Sequence, residues 1–288
     1  MLHDEPRRPA SKTAVLIATY RGRASSRPHA ICHDPWASRL AGPEGEALGE
    51  RLDPILPHME LWVAVRTAYL DAQVRYWTEP ADDRAPARQV VILGSGLDTR
   101  AARLGRPGVV FFEVDHPASL EDRRSRLAAI TGYPADAAIQ VACDFEKDDF
   151  LDRLAAAGFR TDQPALLVWE GVTPYLREAA IRETLRRVAS GCHERSILFF
   201  DHFGRAMARP DQRRPRDEET AAFVDGLGER IVFGTNDILP VLYEEGFRHV
   251  RSVSFDEACL SLTGTYERDR QFRFQRIVLC SRTPAHLP

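Results

Sequence analysis

Residues 89–201 contain five short apolar runs, and segments with a helical pattern separate them. The runs are rich in Val, Ile, Leu and Phe and are too short for helices, which is typical of strands buried on both faces. Alternation of such strands with helices predicts a parallel sheet covered by helices on both sides. The predicted strands are Gln89–Leu93, Val109–Val114, Ile139–Cys143, Ala165–Trp169 and Ser196–Asp201, and the predicted helices are Pro117–Ile130, Asp148–Ala157 and Arg177–Ala189.

The residues before the first run have a different pattern. Apolar residues recur there at helical spacing and predict a helix that ends near Trp77. A polar stretch bounded by prolines follows at 78–86 and is typical of a linker. The sequence therefore predicts a helical cap over residues 1–85 and an α/β core over residues 86–288. The apolar stripe of the cap consists of Trp62, Val65, Tyr69, Ala72 and Tyr76.

A charged segment with two prolines interrupts the alternation after the fifth run. We predict an insertion around residues 205–235, which either is a mobile lid ending in a short helix or is a surface loop without a role. Beyond it we expect a helix at Asn236–Gly246, capped by Asn236 or Asp237, and strands at His249–Phe255 and Phe272–Cys280. The closing pair predicts an antiparallel strand at the edge of a seven-stranded, mostly parallel sheet.

Composition excludes several classes of protein. The formal net charge is -3 without a long basic run, which argues against nucleic acid as a partner. No apolar stretch approaches the roughly 20 residues of a membrane span, and the polar N-terminus lacks the apolar core of a signal peptide. We therefore expect a cytoplasmic protein. The five cysteines are widely spaced and indicate neither a disulfide framework nor a metal site.

A glycine turn follows the first predicted strand directly. Gly94 and Gly96 allow a sharp turn and close approach of a ligand at the carboxyl end of the strand, where open α/β sheets bind their ligands. A dinucleotide site would have a third glycine at position 99, but Thr99 and Arg100 follow instead. The turn therefore disfavours NAD or FAD and is compatible with a nucleoside ligand that lacks phosphates.

The second strand ends in an acid at a suitable distance from this turn. Asp115 lies 19 residues after Gly96, where a carboxylate can accept hydrogen bonds from ribose hydroxyls. Glu113 points to the same side of the strand, so that one of the two acids should have this role. The alternative for Asp115 is a helix N-cap.

Two further strands end in acids at the same edge of the sheet. Asp144 and Phe145 could hold an adenine through its exocyclic amine and its flat face, or they could be a solvated loop acid beside a core ring. Glu170 follows the fourth strand. Three carboxylates so close together repel each other unless a ligand with several donors lies between them.

Four ordered segments resemble the leucine carboxyl methyltransferase family, which includes bacterial enzymes that act on polyketides and other natural products. The segments are VVILGSGLDTRAARL, FFEVDHPASLEDRR, VACDFEKDDF and LLVWEGVTPYL. The resemblance extends to Ser11–Ala14, to HDPWASRLAG and to Val65–Thr67, and it weakens beyond about residue 200. It implies a Rossmann-like class I methyltransferase fold, with S-adenosylmethionine (SAM) as methyl donor and S-adenosylhomocysteine (SAH) as product.

The resemblance also implies roles for residues at the cofactor. Gly94 would lie against the cofactor, Asp115 would hold the ribose, and Asp144 with Phe145 would bracket the adenine. At the methionine end, Glu170 would face the amino group, and the planar guanidinium of Arg66 would pair with the carboxylate. Lys12 would add a second positive contact there. The alternative for Arg66 is a solvated charge on an exposed helix face.

The sequence does not determine whether a carboxylate or a hydroxyl group accepts the methyl group. A carboxylate is already an anion at neutral pH and needs no base, whereas a phenol or alcohol must lose a proton. His202, oriented by Asp201, is the candidate base, and the alternative is a polar residue on a strand-end loop. Tyr175 is expected in the pocket wall, where it could hydrogen-bond the acceptor.

The expected protein is a SAM-dependent O-methyltransferase of a small-molecule acceptor, more specifically a natural product. No nucleic-acid or membrane partner is expected, and a homodimer is left open. Two rivals are a nucleotide-dependent oxidoreductase, which the absent third glycine disfavours, and a SAM-binding regulatory protein without catalysis. Calorimetry with SAM, SAH and NAD distinguishes the first rival, and assays of methyl transfer distinguish the second.

Overall fold

The computed structural model describes residues 11–81, 85–145, 147–265, 271–285 and 287. The predicted linker lies partly outside these residues. Three helices come first: α1 (Lys12–Ser25), α2 (Ala37–Leu52) and α3 (Met59–Thr78). The end of α3 at Thr78 confirms the predicted stop near Trp77. Ser11 caps α1, since its side chain accepts a hydrogen bond from the N–H of Ala14 at 3.1 Å.

The alternating segment forms the predicted parallel strands and helices. The strands β1 and β4 have the predicted bounds, and the other predicted elements differ from prediction by one or two residues at their ends. The short helix α4 and a 3-10 turn were not predicted. The elements are β1 (Gln89–Leu93), α4 (Arg100–Leu104), β2 (Val110–Asp115), α5 (Pro117–Ala128), β3 (Ile139–Ala142), α6 (Phe150–Ala156), β4 (Ala165–Trp169), α7 (Glu178–Gly191) and β5 (Ile197–Phe203), with a 3-10 turn at Thr173–Tyr175.

The remainder of the chain is more helical than predicted. The insertion contains α8 (Arg205–Ala208), a 3-10 turn and α9 (Pro215–Asp225). The next helix, α10 (Leu239–Glu244), begins later than predicted, and neither predicted cap is its N-cap, which is Ile238. The last elements are β6 (His249–Ser254), α11 (Phe255–Thr263) and β7 (Gln275–Ser281). Sequence reasoning missed α11, although Ser254 and Glu257 form a capping box at its start.

The strands form one seven-stranded sheet in the order β3-β2-β1-β4-β5-β7-β6. The pairs from β3 to β5 are parallel, and β7 runs antiparallel to both β5 and β6. The prediction of an antiparallel strand at the edge was therefore wrong, since β7 lies inside the sheet and β6 forms the edge. The order reverses between β1 and β4, which is where open α/β sheets form a ligand crevice.

Helices cover both faces of the sheet. Residues of α1, α2 and α3 share one buried cluster with β1, β4 and β5, whereas α6, α7 and α10 pack on the opposite face. The boundary between cap and core at residues 85 and 86 stays a prediction. The cap places α1 and α3 above the carboxyl end of β1. Within the described residues, no helix is both long enough and apolar enough to span a membrane.

Candidate active site

A cavity of about 370 Å³ lies at the carboxyl ends of β1, β2 and β4. Residues of α1 and α3, together with the segment that follows α9, form its other walls. Its size lies within the range of small-molecule sites. The predicted site residues that line it are Arg66, Gly94, Gly96, Asp115, Asp144, Phe145, Glu170 and Tyr175.

The glycine turn forms the floor of the cavity after β1. Gly94 has a φ of +67°, which favours glycine, and a Cβ there would lie 2.5 Å from Cγ2 of Val172. The turn is held from below by buried Arg123, whose guanidinium donates to the carbonyl oxygens of Gly96 at 3.1 Å and of Asp98 at 2.5 Å. Arg123 was not among the predicted residues, because its partners are distant in the sequence.

Asp115, at the end of β2, is fixed by backbone donors. Its carboxylate accepts from the N–H of Gly96 and from the N–H of His116, both at 2.6 Å. Burial raises the pKa of Asp115, and these two donors counteract that effect. The N-cap of α5 is His116, not Asp115, which removes the alternative of a helix cap. The Ser119 side chain also donates to this carboxylate, which retains a lone pair for a further donor.

Glu113 differs from Asp115 although both point to the same side of β2. Its carboxylate accepts from Arg123 at 2.8 Å and does not line the cavity. Burial raises the pKa of Glu113 to about 7, despite the opposing effect of the Arg123 guanidinium. Of the two acids, the structure thus brings only Asp115 to the cavity.

Asp144 and Phe145 follow β3 and both line the cavity. The Asp144 carboxylate lies 4.0 Å from Nε2 of His116 and 3.6 Å from Nζ of Lys147. The ring of Phe145 is half-buried against Phe150, with 6.2 Å between the centroids. The structure places an acid and an aromatic face together, as predicted; their contact with adenine stays a prediction.

Glu170, at the end of β4, lies between two guanidinium groups. Its Oε1 is 2.6 Å from Nε of Arg66, and its Oε2 accepts from Arg100. Burial alone would raise the pKa of Glu170, but Arg100 and Arg66 outweigh it and lower the pKa to about 2. Arg100 is also paired with Asp71 and Asp98, which makes it the centre of a buried ion network. In the sequence, Arg100 was noted only as the residue after Thr99, where the third glycine is missing, and this role was not predicted.

Arg66 is buried, which contradicts the alternative of a solvated surface charge. Its guanidinium carbon lies 4.3 Å from the centroid of the Trp62 ring, and its Nη1 is 3.6 Å from Oδ2 of Asp201. The Trp62 indole N–H donates to Gln275, and the Gln275 amide donates to Asp201 at 2.7 Å. This chain of hydrogen bonds fixes the wall on which Arg66 lies.

Two predicted residues do not reach the cavity. Lys12 is exposed at the start of α1 and is absent from the lining, although its neighbours Ser11 and Thr13 belong to it. The geometry therefore gives no support to a contact between Lys12 and the cofactor.

His202 is fully buried within β5 and faces the opposite side of the sheet, beside Phe200. Its Nδ1 lies 3.1 Å from the carbonyl oxygen of Phe203, and burial lowers its pKa to about 4. The prediction that His202 is a base at the acceptor was wrong. Asp201 does not orient it, since Oδ1 of Asp201 accepts from the N–H of Gly171 at 2.6 Å.

Glu229 also lines the cavity and was not among the predicted site residues. Glu229 follows α9, and its carboxylate accepts from Oγ of Ser11 at 2.5 Å and from Oγ1 of Thr13 at 2.6 Å. Tyr175 lines the same cavity from the 3-10 turn after β4. Burial, and next the charge of Glu229, raise the pKa of Tyr175. The only sequence signal for Glu229 was its position in the predicted insertion.

Away from the strand ends, the cavity wall is mainly apolar. The residues of this apolar compartment come from α3 and the turn before it, from β5, from the insertion and from the segment before β7. Its members are Leu56, Met59, Trp62, Phe203, Met207, Val224, Leu227, Ile231, Phe272 and Phe274. The cavity thus joins a polar edge, rich in carboxylates, to an aromatic and aliphatic compartment.

A family model and individual relatives point to the same kind of protein. The family model described as leucine carboxyl methyltransferase matches residues 14–189. A Mycobacterium ulcerans protein, named as an S-adenosyl-L-methionine-dependent methyltransferase, is 31% identical over 270 residues, which cover 88% of this chain and 87% of that protein. A Mycobacterium tuberculosis protein with the same kind of name is 30% identical over 233 residues, covering 77% of this chain and 75% of the relative.

Solved structures agree on the fold. A methyltransferase-named protein from Thermobifida fusca superimposes with a TM-score of 0.64 at 16% identity and covers 99% of this chain and 100% of that one. A DUF574 family protein from Streptomyces avermitilis also reaches a TM-score of 0.64, at 14% identity, with coverage of 95% and 98%. At such identities the likeness concerns the fold alone.

Proposed function

The chain belongs to the leucine carboxyl methyltransferase family and is a SAM-dependent methyltransferase, and on this premise we propose that it methylates an oxygen of a small, largely apolar molecule, a natural product. The observation that carries the proposal is the apolar compartment that opens directly from the polar strand ends. Such a compartment suits an acceptor with aromatic or aliphatic surface. Cytoplasmic location and dimerisation stay predictions.

The residues at the strand ends fit SAM. Asp115 offers a lone pair to a ribose hydroxyl, and Asp144 with Phe145 offers an acceptor and an aromatic face to adenine. Glu170 and Arg66 would hold the amino and carboxylate groups of the methionine part. When bound, SAM supplies an electrophilic methyl group, and the chain's task is to hold the acceptor oxygen close to it and away from water.

Binding measurements test the cofactor assignment. Calorimetry should detect SAM and SAH and should detect no binding of NAD. Asp115→Ala should weaken SAM binding by about 10- to 100-fold, because hydrogen bonds to a charged group contribute roughly 1.5–3 kcal/mol. Asp162→Ala is the control, since Asp162 is exposed and forms a surface ion pair with Arg160 near the opposite end of β4. Equal affinities of the two variants would contradict the ribose assignment.

Turnover tests the proposed activity. SAH formation should depend on an added acceptor from a panel of aromatic acids and phenols. SAM binding without methyl transfer to any member of that panel would contradict the O-methyltransferase proposal and would favour a regulatory protein.

A further inference from the structure

The cations at the cavity are already engaged. Arg21 donates to Asp34 and to the carbonyl oxygen of Leu97, both at 2.6 Å. Arg66 lies against two carboxylates, and its remaining capacity is assigned above to the methionine carboxylate of SAM. Arg230 is exposed to solvent. No lysine lines the cavity among the residues that the structure describes. A carboxylate acceptor that left water would therefore find no unpaired buried cation in the described lining to replace its hydration.

Glu229 adds a negative charge to the cavity lining, between Leu227 and Ile231 of the apolar compartment in the sequence. The hydroxyls of Ser11 and Thr13 each donate to one of its oxygens, which orients the carboxylate and leaves a lone pair on each oxygen. The backbone around Glu229 is held as well, since the N–H groups of Val232 and Phe233 donate to the carbonyl oxygen of Pro174 at 2.8 and 3.1 Å. A second carboxylate in this compartment would be repelled, whereas a hydroxyl would find an acceptor for its proton.

Tyr175 complements this acid. Its hydroxyl makes no hydrogen bond within the described part of the chain, and it lines the same cavity as Glu229. A phenolic hydroxyl both donates and accepts, so it can position an acceptor oxygen. The compartment thus offers an oriented anion and a neutral donor next to apolar walls.

We propose, building on the O-methyltransferase function above, that the acceptor is a phenol or a similar uncharged aromatic alcohol and that Glu229 takes its proton. In the transfer, a bond forms between the acceptor oxygen and the methyl carbon, and the bond between that carbon and sulfur breaks with its electron pair remaining on sulfur. The hydroxyl proton passes to the Glu229 carboxylate and then to solvent. The products are an aryl methyl ether and SAH.

A matched panel tests the class of acceptor. SAM is first shown to bind by calorimetry, because its failure to bind would refute the cofactor assignment rather than this inference. Binding of 2-naphthol and 2-naphthoic acid to the SAH-loaded protein is then measured, followed by methyl transfer with SAM. We expect the naphthol to bind and to be methylated, and the acid to do neither. Methylation of the acid in preference to the naphthol, or binding of neither compound, overturns the inference.

Variants test the base. Glu229→Gln should retain SAM affinity and lower the rate with 2-naphthol by about 100-fold or more, the usual contribution of a general base. A nitrophenol that is already ionised at the assay pH has no proton to lose, and as an anion it should be repelled by Glu229 in the wild type. With this acceptor Glu229→Gln should cause no loss of rate, whereas a merely structural role of Glu229 would lower the rate with both acceptors. Glu219→Gln is the matched control, because Glu219 is an exposed acid on α9 and does not line the cavity.

A second variant separates holding from proton transfer. Ser11→Ala combined with Thr13→Val removes both hydroxyl donors and keeps the carboxylate. We expect this variant to retain a dependence of rate on phenol acidity similar to that of the wild type. Equal losses for the naphthol and the ionised nitrophenol in Glu229→Gln would overturn the assignment of Glu229 as base.

Discussion

Replacing Glu170 by Gln removes one charge from the centre of the ion network at the end of β4. The carboxylate lies 2.6 Å from Nε of Arg66, and its side chain is only 12% exposed. Gln has nearly the shape of the protonated carboxyl group and carries no charge. The difference in free energy of unfolding between the wild type and Glu170→Gln therefore approximates how much more the ionised form of Glu170 stabilises the fold than the neutral form would.

The magnitude follows from the pKa. Burial opposes ionisation, but Arg100 and Arg66 lower the pKa of Glu170 from 4.5 to about 2. Each pKa unit corresponds to about 1.4 kcal/mol, so Glu170→Gln should cost about 3 kcal/mol at neutral pH. Because the folded pKa lies below the unfolded one, this stabilisation is complete above pH 4.5 and is lost as the pH falls through about 2. At about pH 3.5 the cost should be about 2 kcal/mol.

Urea unfolding at neutral pH and at about pH 3.5 measures both values. Glu121→Gln is the control, because Glu121 forms an exposed pair with Arg124 and such pairs contribute about 0–1 kcal/mol. The reasoning is refuted if Glu170→Gln and the control destabilise the protein equally at neutral pH. A cost that does not decrease in acid would also refute it, since the effect would then be one of packing rather than charge.

Three other substitutions give distinct outcomes. Gly94→Ala should lower SAM affinity at least about tenfold, since its Cβ would lie 2.5 Å from Val172. Gly132→Ala is the control for backbone strain, because Gly132 has a φ of +82° and open space around it. Equal losses of SAM affinity in the two variants, measured by calorimetry, would contradict the steric argument. His202→Leu should leave methyl transfer unchanged. Burial lowers the pKa of His202 in the folded protein to about 4, below its value of 6.5 in the unfolded chain, so the wild type loses stability as the pH falls from 6.5 to about 4. In His202→Leu the free energy of unfolding measured with urea should therefore decrease less over this pH range. Gln275→Leu should cost about 2–4 kcal/mol, since it leaves the buried Trp62 indole N–H without an acceptor and removes one donor from the buried Asp201 carboxylate, which keeps the N–H of Gly171. A loss below about 1 kcal/mol in urea unfolding would contradict this.

The polar edge of the cavity was predictable because a parallel sheet brings the carboxyl ends of its strands together. Asp115, Asp144 and Glu170 each follow a strand that the sequence identifies by its apolar run, and all three line one cavity. The glycine turn was predictable for the same reason, since it follows the first run directly. Each of these inferences needed only the local sequence and one rule of topology.

The error at His202 shows where such reasoning stops. The predicted strand ended at Asp201 and placed His202 in a loop, but β5 continues to Phe203. Side chains alternate between the two faces of a strand, so His202 joins Phe200 on the face away from the cavity, and Phe203 lines the cavity instead. Because β5 extends two residues beyond its predicted end, His202 lies on the face of the sheet away from the cavity and cannot act as the base there.

Contacts between distant segments were not predictable by any local rule. Arg100 meets carboxylates of α3, of the glycine turn and of the end of β4, and Glu229 meets Ser11 more than 200 positions earlier in the chain. No period or motif relates these positions. They come together only because α1 and α3 fold over the sheet edge, and their pairing is settled by the tertiary structure.

The ion network also changes the physical reason for which an acidic sheet edge suits SAM. The sequence suggested three repelling carboxylates that need a cationic ligand between them. In the structure, Arg66 and Arg100 already balance Glu170, and two backbone N–H groups hold Asp115. Because the edge is stable before any ligand arrives, a bound donor would be recognised through the positions of hydrogen-bonding groups and the shape of the cavity more than through attraction between opposite charges. The carboxylate of Glu229 is then not needed to attract the donor, and it can accept the proton of the methyl acceptor as proposed above.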